Sequence, residues 1–127
     1  MKRVVIAIQN SLVSEAIMRS LKSHGMLLAK PSIDSVDGIA EFCGTFFADI
    51  IVMDVTRFGT GTFDNRMEIS RIVRKSNPNI KVSLIYDNVS DNEMSQKISS
   101  AKEMGLIDVF FYQSVPSDYI ADVISTM

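Results

Sequence analysis

Apolar residues follow two rhythms along this chain. Five short runs are dense in them: Arg3 to Ile8 (RVVIAI), Met26 to Lys30, Ile50 to Met53, Lys81 to Tyr86 (KVSLIY) and Ile107 to Tyr112 (IDVFFY). Between the runs, apolar residues recur every three or four positions. A short run rich in β-branched residues suits a strand buried on both faces, and the wider spacing suits a helix with one face inward. Ser11 caps a first helix carrying Val13, Ala16, Ile17 and Leu21, and Gly25 ends it. Ser35 opens a second, with Ile39, Phe42, Cys43 and Phe46 on one stripe. Ile69, Ile72 and Val73 mark a third, after a loop from Val55 to Thr62 that holds Gly59 and Gly61. Asn77-Pro78-Asn79 is a turn. The pattern Ser90-x-x-Glu93 is a capping box for a fourth helix, with Met94, Ile98 and Ala101 inward and Gly105 at its end. Pro116 suits the first turn of a last helix with Ile120, Val123 and Ile124 buried.

Five strands alternating with five helices predict an α/β domain with a parallel sheet and helices on both faces. The expected architecture is a flavodoxin-like three-layer sandwich over residues 1–127, with strand order 2-1-3-4-5. Asp54 ends the run Ala48 to Asp54, so it belongs at the carboxyl end of a central strand, where ligands and chemistry collect. Gln9, Asn10, Asp54, Thr56, Tyr86, Asp87 and Tyr112 are expected around that point.

Composition narrows the classes. The net charge of −2 shows no basic excess, so neither nucleic acid nor an anionic membrane is the expected partner. The longest apolar runs are about five residues, against the ~20 of a membrane helix. The start, Met1-Lys2-Arg3 and then Val4 to Ile8, is too short in apolar residues for a signal peptide, which points to the cytoplasm. Cys43, the one cysteine, falls on an apolar stripe and reads as core. Arg71, Arg74 and Lys75 read as a solvated face, and His24 as a surface residue near a helix end.

From end to end, the chain resembles the receiver domain of bacterial response regulators, chemotaxis receivers included. The stretch Asn10 to Ile17 is similar to the start of receivers from regulators with a LuxR-type output. Asp49 to Asp54 resembles the phosphoacceptor strand, and Asn77 to Tyr86 and Gly105 to Pro116 keep the family's spacing. The resemblance implies two-component, phosphorelay signalling: a phosphoacceptor aspartate, a Mg²⁺ ion held by an acidic pair, a lysine on the phosphoryl oxygens and a switch hydroxyl. Asp54 matches the phosphoacceptor. The acidic pair falls on Ile8 and Gln9, with Asn10 next; the switch position holds Tyr86, followed by Asp87; the lysine position holds Tyr112. Phe58 stands where the family has proline, and the loop after Asp54 is about four residues longer than usual.

These departures shape the expectation. Mg²⁺ depends on hard, charged oxygen ligands, and Asp54 with neutral amides is a poor set; Thr56 and Asp87 are the residues that could add to it. No cofactor is expected, Mg²⁺ entering only if the pocket still works, and no enzymatic activity. Asp54 is expected on backbone N–H groups and Gln9 or Asn10, with Tyr86 and Tyr112 as plugs whose hydroxyls reach water or Asp54. The leading reading is a degenerate receiver, a pseudo-receiver working by protein contacts with a histidine kinase or another signalling protein. A homodimer through helix 4, strand 5 and helix 5 would use Lys97, Lys102, Asp108, Asp118 and Tyr119. The alternative is a working receiver, a phosphoprotein modified on Asp54 by a histidine kinase and controlling a DNA-binding output. A third reading, a flavin or small-ligand site on the loop Gln9 to Ser14, lacks the glycines for close backbone approach and a tryptophan to stack.

Overall fold

The computed structural model describes residues 1–87 and 91–127. Its elements are β1 (Arg3–Ala7), α1 (Ser11–Ser23), β2 (Leu27–Ala29), α2 (Val36–Phe46), β3 (Ile50–Val55), α3 (Phe63–Ser76), β4 (Lys81–Tyr86), α4 (Asn92–Glu103), β5 (Val109–Tyr112) and α5 (Ser117–Ser125). The five strands form one parallel sheet in the order β2-β1-β3-β4-β5, as expected. The register sets Ala7 beside Met53, Val55 beside Tyr86 and Tyr86 beside Tyr112, so the carboxyl ends of four strands share one edge.

Strand alternation builds two cores. Val5, Ala7, Ile51, Met53, Val82, Leu84 and Tyr86 face the side covered by α2, α3 and α4. Val4, Ile6, Ile50, Val52, Ile85 and Phe111 face α1 and α5. Each fully buried side chain of this size contributes about 1.5–3 kcal/mol relative to exposure, which explains why unbroken apolar runs were needed in the sheet. Cys43 lies in the first core, where burial pushes its thiol up to about 12. Among the described residues, no helix is long and apolar enough to cross a membrane.

Element ends differ from the sequence expectation in physically simple ways. Asn10, not Ser11, caps α1; its side chain accepts from the N–H groups of Leu12 and Val13 while its own backbone stays extended. Asp91 caps α4 through the Met94 amide; the expected Ser90 cap lies outside the described residues. Pro116 occupies the cap position of α5 rather than its first turn. Strand β5 begins at Val109, two residues late. Asp108 just before it turns its carboxylate to the Val82 amide and to Arg74. Arg74 is thereby an ion-pair partner rather than part of a purely solvated face.

Candidate functional site at the carboxyl edge of the sheet

Asp54 is only 8% exposed, so its carboxylate must find donors within the protein. Two come from the backbone where β1 gives way to α1: Oδ2 accepts the N–H of Gln9 at 3.0 Å and that of Asn10 at 3.4 Å. The third is a guanidinium. Arg66 Nη2 lies 3.0 Å from Oδ1, and Arg66 is fully buried. The same side chain donates from Nε to the Asp54 carbonyl at 2.7 Å and from Nη2 to the Ala7 carbonyl at 3.0 Å. Nη1 reaches Asn65 Oδ1 at 3.3 Å. Burying a guanidinium is costly unless its donors are met and its charge is paired, and both conditions hold here.

Local structure explains the placement. Arg66 precedes Ile69, Ser70 and Val73 by three, four and seven residues, and all four are buried on one face of α3. That face looks at the sheet, and its first turn ends at the carboxyl edge beside Asp54. The side-chain amides expected on Asp54 go elsewhere. Asn10 caps α1, and Gln9 Nε2 donates to Asp34 Oδ2 at 3.0 Å and to the Thr60 hydroxyl. The Thr56 N–H is on the Gly61 carbonyl at 2.7 Å and its hydroxyl on the Phe58 carbonyl at 2.9 Å.

The two tyrosines do not reach Asp54 through their hydroxyls. Tyr86 donates to Asp91 Oδ2 at 2.6 Å and receives Arg57 Nε at 3.4 Å, while Arg57 Nη2 sits 3.0 Å from the same Asp91 oxygen. Tyr112 donates to Ser95 Oγ at 2.9 Å. Strand parity is the reason. Tyr86 and Tyr112 pack on the side of α2, α3 and α4, whereas Asp54 follows Ile50 and Val52 on the opposite side, with Ile85 as its strand neighbour. Burial, then the bond to Asp91, push the Tyr86 phenol above its ordinary range. Bonds from the Tyr86 hydroxyl and then the Met94 amide hold Asp91 below the ordinary carboxylate value. The Thr60 hydroxyl does the same for Asp34.

The residues present do not suit Mg²⁺. The ion takes near-octahedral oxygen ligands with carboxylate charge. Asp54 spends its charge on Arg66, whose guanidinium opposes a second cation at the same oxygens, and Asp87 is exposed. Among the described residues, no three His, Cys, Asp or Glu side chains are placed to hold a metal ion together.

No family model matches the sequence, and no curated protein matches it either. Solved structures do match. A CheY-like response regulator receiver domain protein from Methanospirillum hungatei JF-1 superposes with a TM-score of 0.75 at 13% identity, covering 99% of this chain and 92% of the other. The fold is that of the response-regulator receivers. A LuxR-family two-component response regulator from Aurantimonas sp. SI85-9A1 gives a TM-score of 0.75 at 18% identity, over 98% of this chain and 82% of that one. An orphan response regulator of H. pylori gives 0.71 at 13% identity, over 98% and 94%. On this receiver fold, Asp54 stands at the end of the central strand with Arg66 bound to it.

Sequence reasoning missed Arg66, and it missed Arg57, Asp91, Asp34 and Thr60 as partners. For Arg66 a signal was present: its helical spacing to Ile69 and Val73 puts it on the buried stripe, and a buried arginine demands a carboxylate.

Proposed function

We propose that this chain is a receiver-fold signalling module of the two-component type in which Arg66 stands permanently in place of the phosphorylation chemistry, so that the domain signals through protein contacts in one held state. The observation that carries this is the 3.0 Å pair between Arg66 Nη2 and Asp54 Oδ1, buried on both sides. A carboxylate acting as a nucleophile toward a phosphoryl group needs its lone pairs available and a cation on the incoming oxygens. Here both carboxylate oxygens already accept hydrogen bonds from within the chain. The bond from Tyr112 to Ser95 joins β5 to α4 and involves no phosphate, which supports a held state. The face of α4, β5 and α5 is then the contact surface for a signalling partner or a second copy. Tyr119 is exposed there, while Asp108 and Asp118 are engaged inward with Arg74 and Ser20.

The test is a titration of Mg²⁺, with and without beryllofluoride, into isotopically labelled protein. The amides of Gln9, Asn10, Asp54 and Thr56 are followed. We expect no saturable shift at millimolar Mg²⁺. Saturable shifts confined to those amides would overturn the reading in favour of a regulator phosphorylated on Asp54.

A further inference from the structure

The loop between β3 and α3 runs beside the buried Asp54–Arg66 pair and is bonded to the rest of the chain at two points. Its Gly61, next to the α3 cap Thr62, packs against the Arg66 guanidinium. A Cβ at Gly61 would lie 3.0 Å from Gln9 Oε1, 3.0 Å from Thr56 Oγ1 and 3.1 Å from Arg66 Nη2. A side chain here would push Gln9, Thr56 or Arg66 aside by a few tenths of an ångström. The Thr56 N–H to Gly61 carbonyl bond, 2.7 Å, draws the loop's two arms together above the guanidinium.

One fastener lies on the side of α2. The Thr60 hydroxyl donates to Asp34 Oδ2 at 2.5 Å, and Gln9 Nε2 donates both to that oxygen and to Thr60. The other lies on the side of α4. Arg57 pairs with Asp91 at 3.0 Å, and Tyr86 donates to the same oxygen at 2.6 Å. The second Asp91 oxygen meanwhile caps α4 through the Met94 amide at 3.0 Å. The loop therefore ties the segment before α2 to the cap of α4, past the Arg66 guanidinium.

We infer that residues 56–62 form a two-point strap over the Asp54–Arg66 pair, fastened by Thr60 to Asp34 and by Arg57 to Asp91, and that the two fasteners open together, so that loosening the strap is what changes the start of α4. Thr60, Asp34 and Arg57 are exposed and Asp91 is half-buried, so each fastener is individually weak, while the pair beneath is buried and firmly held. Segments with few apolar contacts open at small cost while the core stays closed. The strap is thus the mobile part of the site and the ion pair its fixed floor. Its meaning as regulation of α4 rests on the signalling role proposed above; its mechanics do not.

Amide hydrogen exchange on the full chain, read by NMR, tests this in the wild type, Thr60→Val and Arg57→Ala. Both replaced side chains are surface groups, and neither variant removes a residue that caps a helix. The amide of Thr56 should exchange about tenfold faster in either variant, with Gln9, Val52 and Leu84 unchanged. Thr60→Val should also shift the Arg57 Nε–H and the Met94 amide, on the far fastener. The inference falls if Thr56 keeps its rate, if each variant is felt only at its own end, or if Gln9, Val52 and Leu84 accelerate equally. A Mg²⁺ response in the wild type would overturn the proposed function and leave the strap standing.

Discussion

Two arginines on α3 perform the same pairing in two settings. Arg66 and Arg74 are eight residues apart, about two turns, and each holds an aspartate beside a strand end together with a backbone carbonyl. Arg66 takes Asp54 at the carboxyl edge of the sheet, Arg74 takes Asp108 at the amino edge. The side chains are 1% and 11% exposed in the first pair, 25% and 30% in the second. Water screens the Arg74 pair and would solvate either partner left alone. It does neither for Arg66. The same two residue types thus act as an adjustable clamp at one edge and as a permanent occupant at the other, and burial alone makes the difference.

The largest effect that bears on this contrast is removal of Arg66. Arg66→Ala strands a buried carboxylate and should cost about 3–5 kcal/mol of unfolding free energy in urea. The double variant Arg66→Met with Asp54→Leu should recover most of that loss, because a matched apolar pair leaves no charge uncompensated. A single-variant cost below about 1 kcal/mol would erase the distinction between the edges. Arg74→Ala is the smaller partner experiment. It should cost up to about 1 kcal/mol, and molar salt should shrink the difference from wild type.

His24 and Asp122 extend the series to a still more open pair, joining α1 to α5 at 2.7 Å. The backbone carbonyl of Ser20, which accepts from Nδ1, and then Asp122 raise the imidazole above its ordinary value of 6.5. A group whose folded value is raised stabilises the fold fully below the unfolded value, and the contribution fades as pH rises through the folded one. An imidazole titration by NMR should therefore have its midpoint above 6.5, and Asp122→Asn should lower that midpoint. An unchanged midpoint would remove this pair from the series.

Five short apolar runs and five one-sided helices make the α/β sandwich legible from spacing alone, since period and run length depend on which faces are covered. Asp54 at a strand end was equally plain. What surrounds it was harder. The strand ends that neighbour Asp54 in order supply Tyr86 and Tyr112, and it was natural to bring their hydroxyls inward; parity turns them toward α4 instead. The backbone N–H groups expected on the carboxylate are there, from Gln9 and Asn10, while the side chains of these residues go to Thr60 and to a helix cap instead. Arg66 is masked by Arg71, Arg74 and Lys75, which give α3 the pattern of a solvated basic face, although the buried stripe through Ile69 and Val73 passes through position 66.

The shell around Asp54 is a complete anion hole, two amide N–H groups and a guanidinium, filled by an anion that the chain itself carries. A dissolved phosphate or carboxylate must compete with a ligand tethered by a single Cα–Cβ bond. Such a tether supplies an effective concentration at or above roughly millimolar, and it cannot diffuse away. The domain is in this sense self-liganded: its own backbone delivers the competitor, and any small anion meets an inhibitor built into β3.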